Sequence, residues 1–246
     1  MIIDIHAHIW GGNPEKHRDS ILTACQRYGI DRVYVSGLQS YISDEGEIEY
    51  LNRIVKQFMD DEPELIGGAV YLNPTHKNAM DVARRAIEDQ GFEMIKLWVN
   101  TLADDPSVDP IMEYAERTGV PVLLHVFKKS TGQVFNETTG IHAANIARRH
   151  SKTKILAAHF GGSCYDGIPC VRDLPNVWCD QSGSLFHGDT MRYAVEQLGA
   201  ERILFGTDNA FLTNIAQVQG ADLPQAQQDL IFWKNAQKLL DRSFRL

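Results

Sequence analysis

The chain has 246 residues, 43% hydrophobic and 23% charged, which is ample for one large buried core. With 24 basic against 32 acidic side chains, a net charge of −8, it is not built to grip nucleic-acid phosphates without regard to sequence. Its four cysteines form no CxxC pair, its N-terminus has no basic leader and no stretch nears a membrane span of about 18 apolar residues, so a soluble cytoplasmic protein is expected.

The first apolar run, "IIDIHAH", reads as a strand. Residues i, i+2 and i+4 of a strand share a face, so Asp4, His6 and His8 are expected to point one way and Ile3, Ile5 and Ile9 mainly the other. Such a polar stripe costs free energy unless it is hydrogen-bonded or holds a metal. "DSILTACQRYG" follows with helical periodicity and ends at Gly29, a left-handed cap. The pattern then repeats: strands "DRVYVSG", "ELIGGAVYL" and "FEMIKLWV" alternate with helices "EIEYLNRIVKQFMDD", "KNAMDVARRAIEDQG" and "VDPIMEYAERTG", the last two ending at Gly91 and Gly119. "VPVLLHVF", "TKILAAHF", "NVWCDQS" and "RILFGTD" complete eight strands. "GGSCYDGIPCVRDLP" reads as a loop with a short helix, "NAFLTNIAQVQGADLPQ" reads as loop, and "PQAQQDLIFWKNAQKLLDRSF" closes the chain. Eight strand–helix alternations with no linker predict a single-domain (β/α)8 TIM barrel over residues 1–246.

Histidines fall where such a barrel builds its sites, at the C-terminal ends of strands. His6 and His8 end strand 1, His125 ends strand 5, His159 ends strand 6, and Asp208 follows strand 8. Each alone has a plain reading: a hydrogen-bonded core pair, a packed strand end, a turn cap. Together they predict four neutral imidazoles and one carboxylate around a divalent metal with an open position for water.

The pattern HxH on strand 1, His on strands 5 and 6 and Asp on strand 8 resembles the amidohydrolase superfamily, and more narrowly its amidohydrolase-related (amidohydrolase 2) branch of hydrolases, lactonases and decarboxylases. The likeness continues through "AHFGG", "NVWCDQSG", "RILFGTDNAF" and "KNAQKLL". It implies that His6, His8, His125, His159 and Asp208 hold the metal, with zinc first and manganese or iron as alternatives. Where the branch often has an aromatic and a proline, this chain has Asn209 and Ala210. The chain is also short for the branch, so substrate-covering insertions are either missing or supplied by a neighbouring subunit, and a homodimer is allowed for. Barrel deoxyribonucleases share HxH and the strand-8 aspartate, but they resemble one another in a strand-4 glutamate where this chain has Lys96.

The expected chemistry is hydrolysis of an amide, ester or lactone of a small molecule by metal-activated water, with Asp208 as general base and His159 or the metal steadying the oxyanion. Asp4 is expected to support the ligands from a deeper position. Lys96 has three readings: a carboxylated bridge to a second metal, as in binuclear superfamily members, a binder of a substrate carboxylate, or a surface lysine. Lys128 (with Lys129), His187, Trp10 and Trp98 are candidates for substrate contact, while His17, His76, His142 and His150 read as solvated helix positions. The alternative activity is non-oxidative decarboxylation of a small aromatic or unsaturated acid on the same metal. A third reading is a metal-binding barrel without catalysis. A small molecule is the expected partner in each enzymatic case, with neither nucleic acid nor membrane.

Overall fold

Eight parallel strands, β1 (Ile3–Trp10), β2 (Arg32–Leu38), β3 (Ile66–Leu72), β4 (Met94–Leu97), β5 (Val122–Leu124), β6 (Ile155–Ala157), β7 (Val177–Asp180) and β8 (Ile203–Leu204), lie side by side in sequence order. The computed structural model describes residues 1–183 and 189–244. Backbone bonds from Ile5 N to Phe205 O (2.9 Å), and from Thr207 N and Asp208 N to His6 O (3.2 and 2.7 Å), join the end of β8 to β1. The fold is the (β/α)8 barrel.

Helices α1 (Pro14–Tyr28), α2 (Glu45–Asp61), α3 (Ala79–Arg84), α4 (Asp109–Thr118), α5 (Gly140–Arg149), α6 (Cys164–Val171), α7 (Thr190–Leu198) and α8 (Phe211–Gln219) follow the strands in turn. The helix starts obey local chemistry: Asn13 caps α1 by accepting from Lys16 N with Pro14 behind it, and Asp44 caps α2 by accepting from Glu47 N. Gly29 and Gly119 close α1 and α4 at φ of +67° and +75°, where a side chain would be strained.

Strand periodicity splits the core into two layers. Ile5, Met94, Leu123, Leu156, Trp178 and Leu204 fill the barrel, while Val33, Val35, Ile95, Val122, Ile155 and Val177 face the helices. One strand breaks the alternation. The β1–β2 register shifts between Asp4 and Ala7, so Ile3 and Ile5 join the inner layer but Ala7 and Ile9 the outer one. The expectation that Asp4 shares a face with His6 and His8 is therefore corrected. A bulge lies between them, and Asp4 Oδ1 caps it by accepting from His6 N at 3.0 Å.

The segment read as loop after strand 8 is instead helix α8. Phe211, Asn214, Ile215 and Val218 are buried at i, i+3, i+4 and i+7, a core-facing stripe disguised by the polar Asn214 within it and by Thr213, Gln217 and Gln219 on the rest of the surface. Buried Asn214 gives its amide protons to Thr207 O and Ala210 O, tying the helix to the β8 end. The short helix in "GGSCYDGIPCVRDLP" is α6, and the four cysteines are free thiols. Among the described residues, no helix is long and apolar enough to cross a membrane.

Candidate metal centre

The bulge turns both β1 histidines to the barrel mouth, where their Nε2 atoms lie 3.0 Å apart. Behind them each ring is anchored at Nδ1: His6 to Asp180 Oδ2 at 3.0 Å, and His8 to Ser36 Oγ at 2.8 Å. Asp180 is fully buried at the end of β7, and its Oδ1 also accepts from His159 N, Ser182 N and Ser182 Oγ. Burial opposes its ionisation, but the interaction and hydrogen bond with His6 outweigh it and hold the carboxyl well below the usual range. A carboxylate can only accept, so the His6 proton sits on Nδ1 and the Nε2 lone pair faces the site.

β6 ends in a run of left-handed backbone, with His159 and Phe160 at φ of 58° and 53° before Gly161 and Gly162. This turn swings the imidazole across the mouth, its ring centroid 5.4 Å from that of His6 and 5.4 Å from that of His125. His159 Nδ1 donates to Ser182 O at 3.0 Å, which leaves Nε2 as its acceptor. Past β8, Asp208 and Asn209 are also left-handed, at φ of 49° and 67°. Strained backbone at non-glycine positions persists only where its surroundings over-determine it. Here Asn209 does so, its side chain accepting from His8 N and donating to His8 O, both at 2.8 Å, like a neighbouring strand. Asp208 Oδ1 is thereby set 3.2 Å from His8 Nε2. Burial works against its charge, yet the His8 hydrogen bond and the nearby His6 and His159 keep it ionised.

Burial, aided by the Lys96 charge, pulls His6 down to about 3, and burial likewise lowers His8 and takes His125 to about 4, so these rings are neutral at neutral pH. The donor atoms of His6, His8 and Asp208 lie within 4.8 Å of one another, as do those of His6, His159 and Asp180. Ligand atoms of one first-row cation sit roughly 3 Å apart. The 3.0 Å approach of two neutral imidazole nitrogens beside a carboxylate fits that arrangement, and Ser36 can accept from His8 Nδ1 when Nε2 offers its lone pair.

His125 belongs to neither cluster. Its Nε2 meets Glu137 Oε1 at 3.1 Å, and Glu137 also binds Lys129 Nζ at 2.8 Å. Those two contacts overcome the cost of burial and hold Glu137 down to about 2. Lys96 is completely buried with Nζ 3.1 Å from His6 Nε2, which removes the surface-lysine reading. Burial lowers its ammonium to about 8 against the pull of Asp208 and Asp180. Asp4 touches neither ring; besides His6 N it accepts from Thr207 N (3.0 Å) and Thr207 Oγ1 (2.5 Å), locking the β8 end onto the bulge.

Trp10, Tyr41 and Trp98 line a cavity of about 170 Å³ that ends on His8, His125 and Asp208, with Trp98 centred 5.8 Å from Trp10 and 5.3 Å from Tyr41. A larger cavity of about 650 Å³ is lined in part by His159, Phe127 and Tyr165, and Lys128 on its wall is paired with Asp166 at 2.7 Å. His187 lies outside the described residues. His17 and His76 are partly exposed, whereas His142 caps α5 through Thr139 N at 3.0 Å. His150 is buried against Asp109 at 2.8 Å, a correction to its solvated reading: it ends α5 where the chain turns inward. Sequence reasoning missed Asp180, Ser182, Ser36 and Glu137. Asp180 carried a usable signal, a carboxylate ending the strand run "VWCD" in step with inward Trp178, the same logic that picks out Asp208.

Donor side chains gathered from β1, β6, β7 and β8 at one end of a barrel define the class: a (β/α)8 scaffold with a candidate metal centre at its C-terminal mouth. The amidohydrolase family model matches residues 3–242, and the chain belongs to that family. No curated protein matches it. Among solved structures it is similar to 2,6-dihydroxybenzoate decarboxylase from Rhizobium (TM-score 0.80, 18% identity, 99% of each chain covered). It is also similar to a dihydroxybenzoic acid decarboxylase from Polaromonas with bound manganese and the inhibitor 2-nitroresorcinol (TM-score 0.78, 18% identity, 99% of this chain and 97% of that one). A third is 5-carboxyvanillate decarboxylase from Sphingomonas paucimobilis (TM-score 0.76, 14% identity, 97% and 98%). The likeness is one of fold.

Proposed function

We propose that this protein is a metal-dependent enzyme that removes CO₂, without net oxidation, from a small aromatic or unsaturated carboxylic acid. The observation that carries the reading is the aromatic cavity of Trp10, Tyr41 and Trp98 ending on His8 and Asp208, which suits a flat substrate held face-on to aromatic side chains. The decarboxylases similar in fold act on aromatic acids of this kind. His6, His8 and Asp208 hold a divalent cation, with His159 and His125 on the flanks. Zinc suits the donors, and manganese is what one similar structure contains. The cation supplies Lewis acidity toward the substrate's oxygens. Lys96, buried beside His6, offers a positive charge to the carboxylate. Asp208 enters ionised, takes the proton of a ring hydroxyl, and returns it to the ring carbon as the carbon–carboxyl electron pair forms the new C–H bond and CO₂ leaves.

Hydrolysis is the second reading, favoured by Asp208 itself, since an ionised carboxylate at a partly open mouth also suits a base toward water. The discriminating experiment supplies protein loaded with zinc or manganese with hydroxybenzoates and, separately, with lactones, esters and amides. CO₂ release from an acid, abolished by a chelator, supports decarboxylation; ester, lactone or amide cleavage with no CO₂ from any acid transfers the conclusion to hydrolysis.

A further inference from the structure

Behind the aromatic cavity lies a buried polar cluster centred on Asn100, which is 6% exposed in the turn after β4. Ser43 N donates to Asn100 Oδ1 at 3.0 Å, and a backbone N–H cannot accept, so the orientation of the amide is fixed. Asn100 Nδ2 then donates to the hydroxyl of fully buried Tyr71 at 2.6 Å. Ser43 Oγ gives its single proton to Glu47 Oε1 at 2.7 Å, so the Tyr71 proton turns to Ser43 Oγ at 3.3 Å and closes a ring of contacts. On its other side Asn100 O accepts from Asn136 Nδ2 at 3.0 Å. One residue thus joins the loops that follow β2, β4 and β5. Each tie stands within two residues of a side chain lining the 170 Å³ cavity: Ser43 near Tyr41, Asn100 near Trp98 and Asn136 beside Glu137. Tyr41 is 55% exposed, so packing alone holds it weakly, whereas the Trp98 ring rests on Tyr71 with centroids 6.4 Å apart. The two aromatic walls therefore keep their spacing through hydrogen bonds to one amide.

We propose that Asn100 is a positioning residue, which sets Tyr41 and Trp98 at the spacing that receives the flat ring of the substrate. It acts through the loops, being neither on the cavity wall nor bonded to a cation donor. The assignment rests on the aromatic-acid reading given above and deepens it: the ring enters a slot ordered before binding rather than one the ligand must close. Leucine at this position has nearly the same size but leaves buried Ser43 N without its acceptor and Tyr71 without its donor, so the β2 and β4 loops part. Aspartate keeps both ties, one carboxylate oxygen accepting from Ser43 N and the other from a reoriented Tyr71 hydroxyl.

The test compares wild type, Asn100→Leu and Asn100→Asp by two readouts. Circular dichroism follows the exciton couplet of the Trp10–Trp98 pair, centred 5.8 Å apart and assigned by its loss in Trp98→Phe. Calorimetry measures benzoate binding to the zinc-loaded protein. Asn100→Leu loses most of the couplet and binds benzoate roughly 10-fold more weakly, the scale of ordering one freed side chain on binding, while its zinc affinity stays within about twofold of wild type. Asn100→Asp keeps both readouts near wild type; a loss there equal to that in Asn100→Leu overturns the assignment. So do a couplet and benzoate affinity unchanged in Asn100→Leu, or a zinc affinity that falls along with them, which marks general damage rather than positioning. If Asn100→Leu does not fold, Tyr71→Phe, which keeps the ring and removes the hydroxyl, carries the comparison: a weakened couplet supports the assignment and a wild-type couplet overturns it. Benzoate that fails to bind wild type retires the aromatic-acid reading, and the couplet then decides the positioning role alone.

Discussion

Asp180→Asn perturbs the cluster at one atom. All three contacts made by Asp180 Oδ1, from His159 N, Ser182 N and Ser182 Oγ, can pass to the asparagine oxygen. The position of Oδ2, 3.0 Å from His6 Nδ1, then carries an NH₂ group. Two donors cannot face each other, so the His6 proton is driven from Nδ1 to Nε2, the atom that must offer its lone pair to a cation. Losing a hydrogen bond to a charged acceptor costs about 1.5–3 kcal/mol, and outer carboxylates of metal-bound histidines are worth about 10–100-fold in affinity. Ser182 Oγ, 3.0 Å from the same nitrogen, can take over part of the contact, so the loss should lie nearer 10-fold. Competition of wild type and variant against a chromogenic chelator for zinc measures it, with circular dichroism confirming the fold. Affinity within twofold of wild type would refute both the tautomer argument and the placement of His6 at the metal.

Asp208→Asn should lower turnover by at least about 100-fold, the scale of a lost general acid–base group, while leaving thermal unfolding of the metal-free protein nearly unchanged; steady-state rates near wild type would remove Asp208 from proton transfer. Lys96→Met should raise KM for an acid substrate by roughly 10-fold or more, as loss of a charged contact predicts, with one metal per chain by elemental analysis in both proteins. Two metals per wild-type chain would instead indicate the carboxylated form. Asp4 gives a pH test. Burial raises its folded pKa to about 7 from 3.8, so the stability its protonated form contributes is complete below 3.8 and lost as pH rises through 7. Asparagine does not titrate, so in urea unfolding of metal-free protein Asp4→Asn should gain on wild type by on the order of a few kcal/mol between pH 4 and pH 8. A stability difference independent of pH refutes the assignment.

The barrel was legible because its evidence is local and repeated. "DRVYVSG", "FEMIKLWV" and "VPVLLHVF" each carry strand propensity over a few residues, and glycines such as Gly29 and Gly119 punctuate the helices between them. Helix α8 escaped because its stripe of four buried positions includes Asn214, a polar residue buried for hydrogen bonds that only the fold provides. The β1 bulge escaped for a related reason. A register shift depends on the partner strand, so Ile5 and His6 read as opposite faces until β2 and β8 are in place.

At the site, the chain alone marks His6, His8, His125, His159 and Asp208, because a side chain's position along its own strand decides which end of the barrel it reaches. Which of them converge is decided by contacts between residues far apart in the chain. Asp180 meets His6 across 174 positions, Asn209 clasps His8 across 201, and Glu137 draws His125 away from the cluster from within its own loop. Propensity and periodicity act over a few residues and so are written in the sequence. Tautomer, charge state and ligand geometry depend on which distant groups share one small buried volume, and only the folded barrel brings them there.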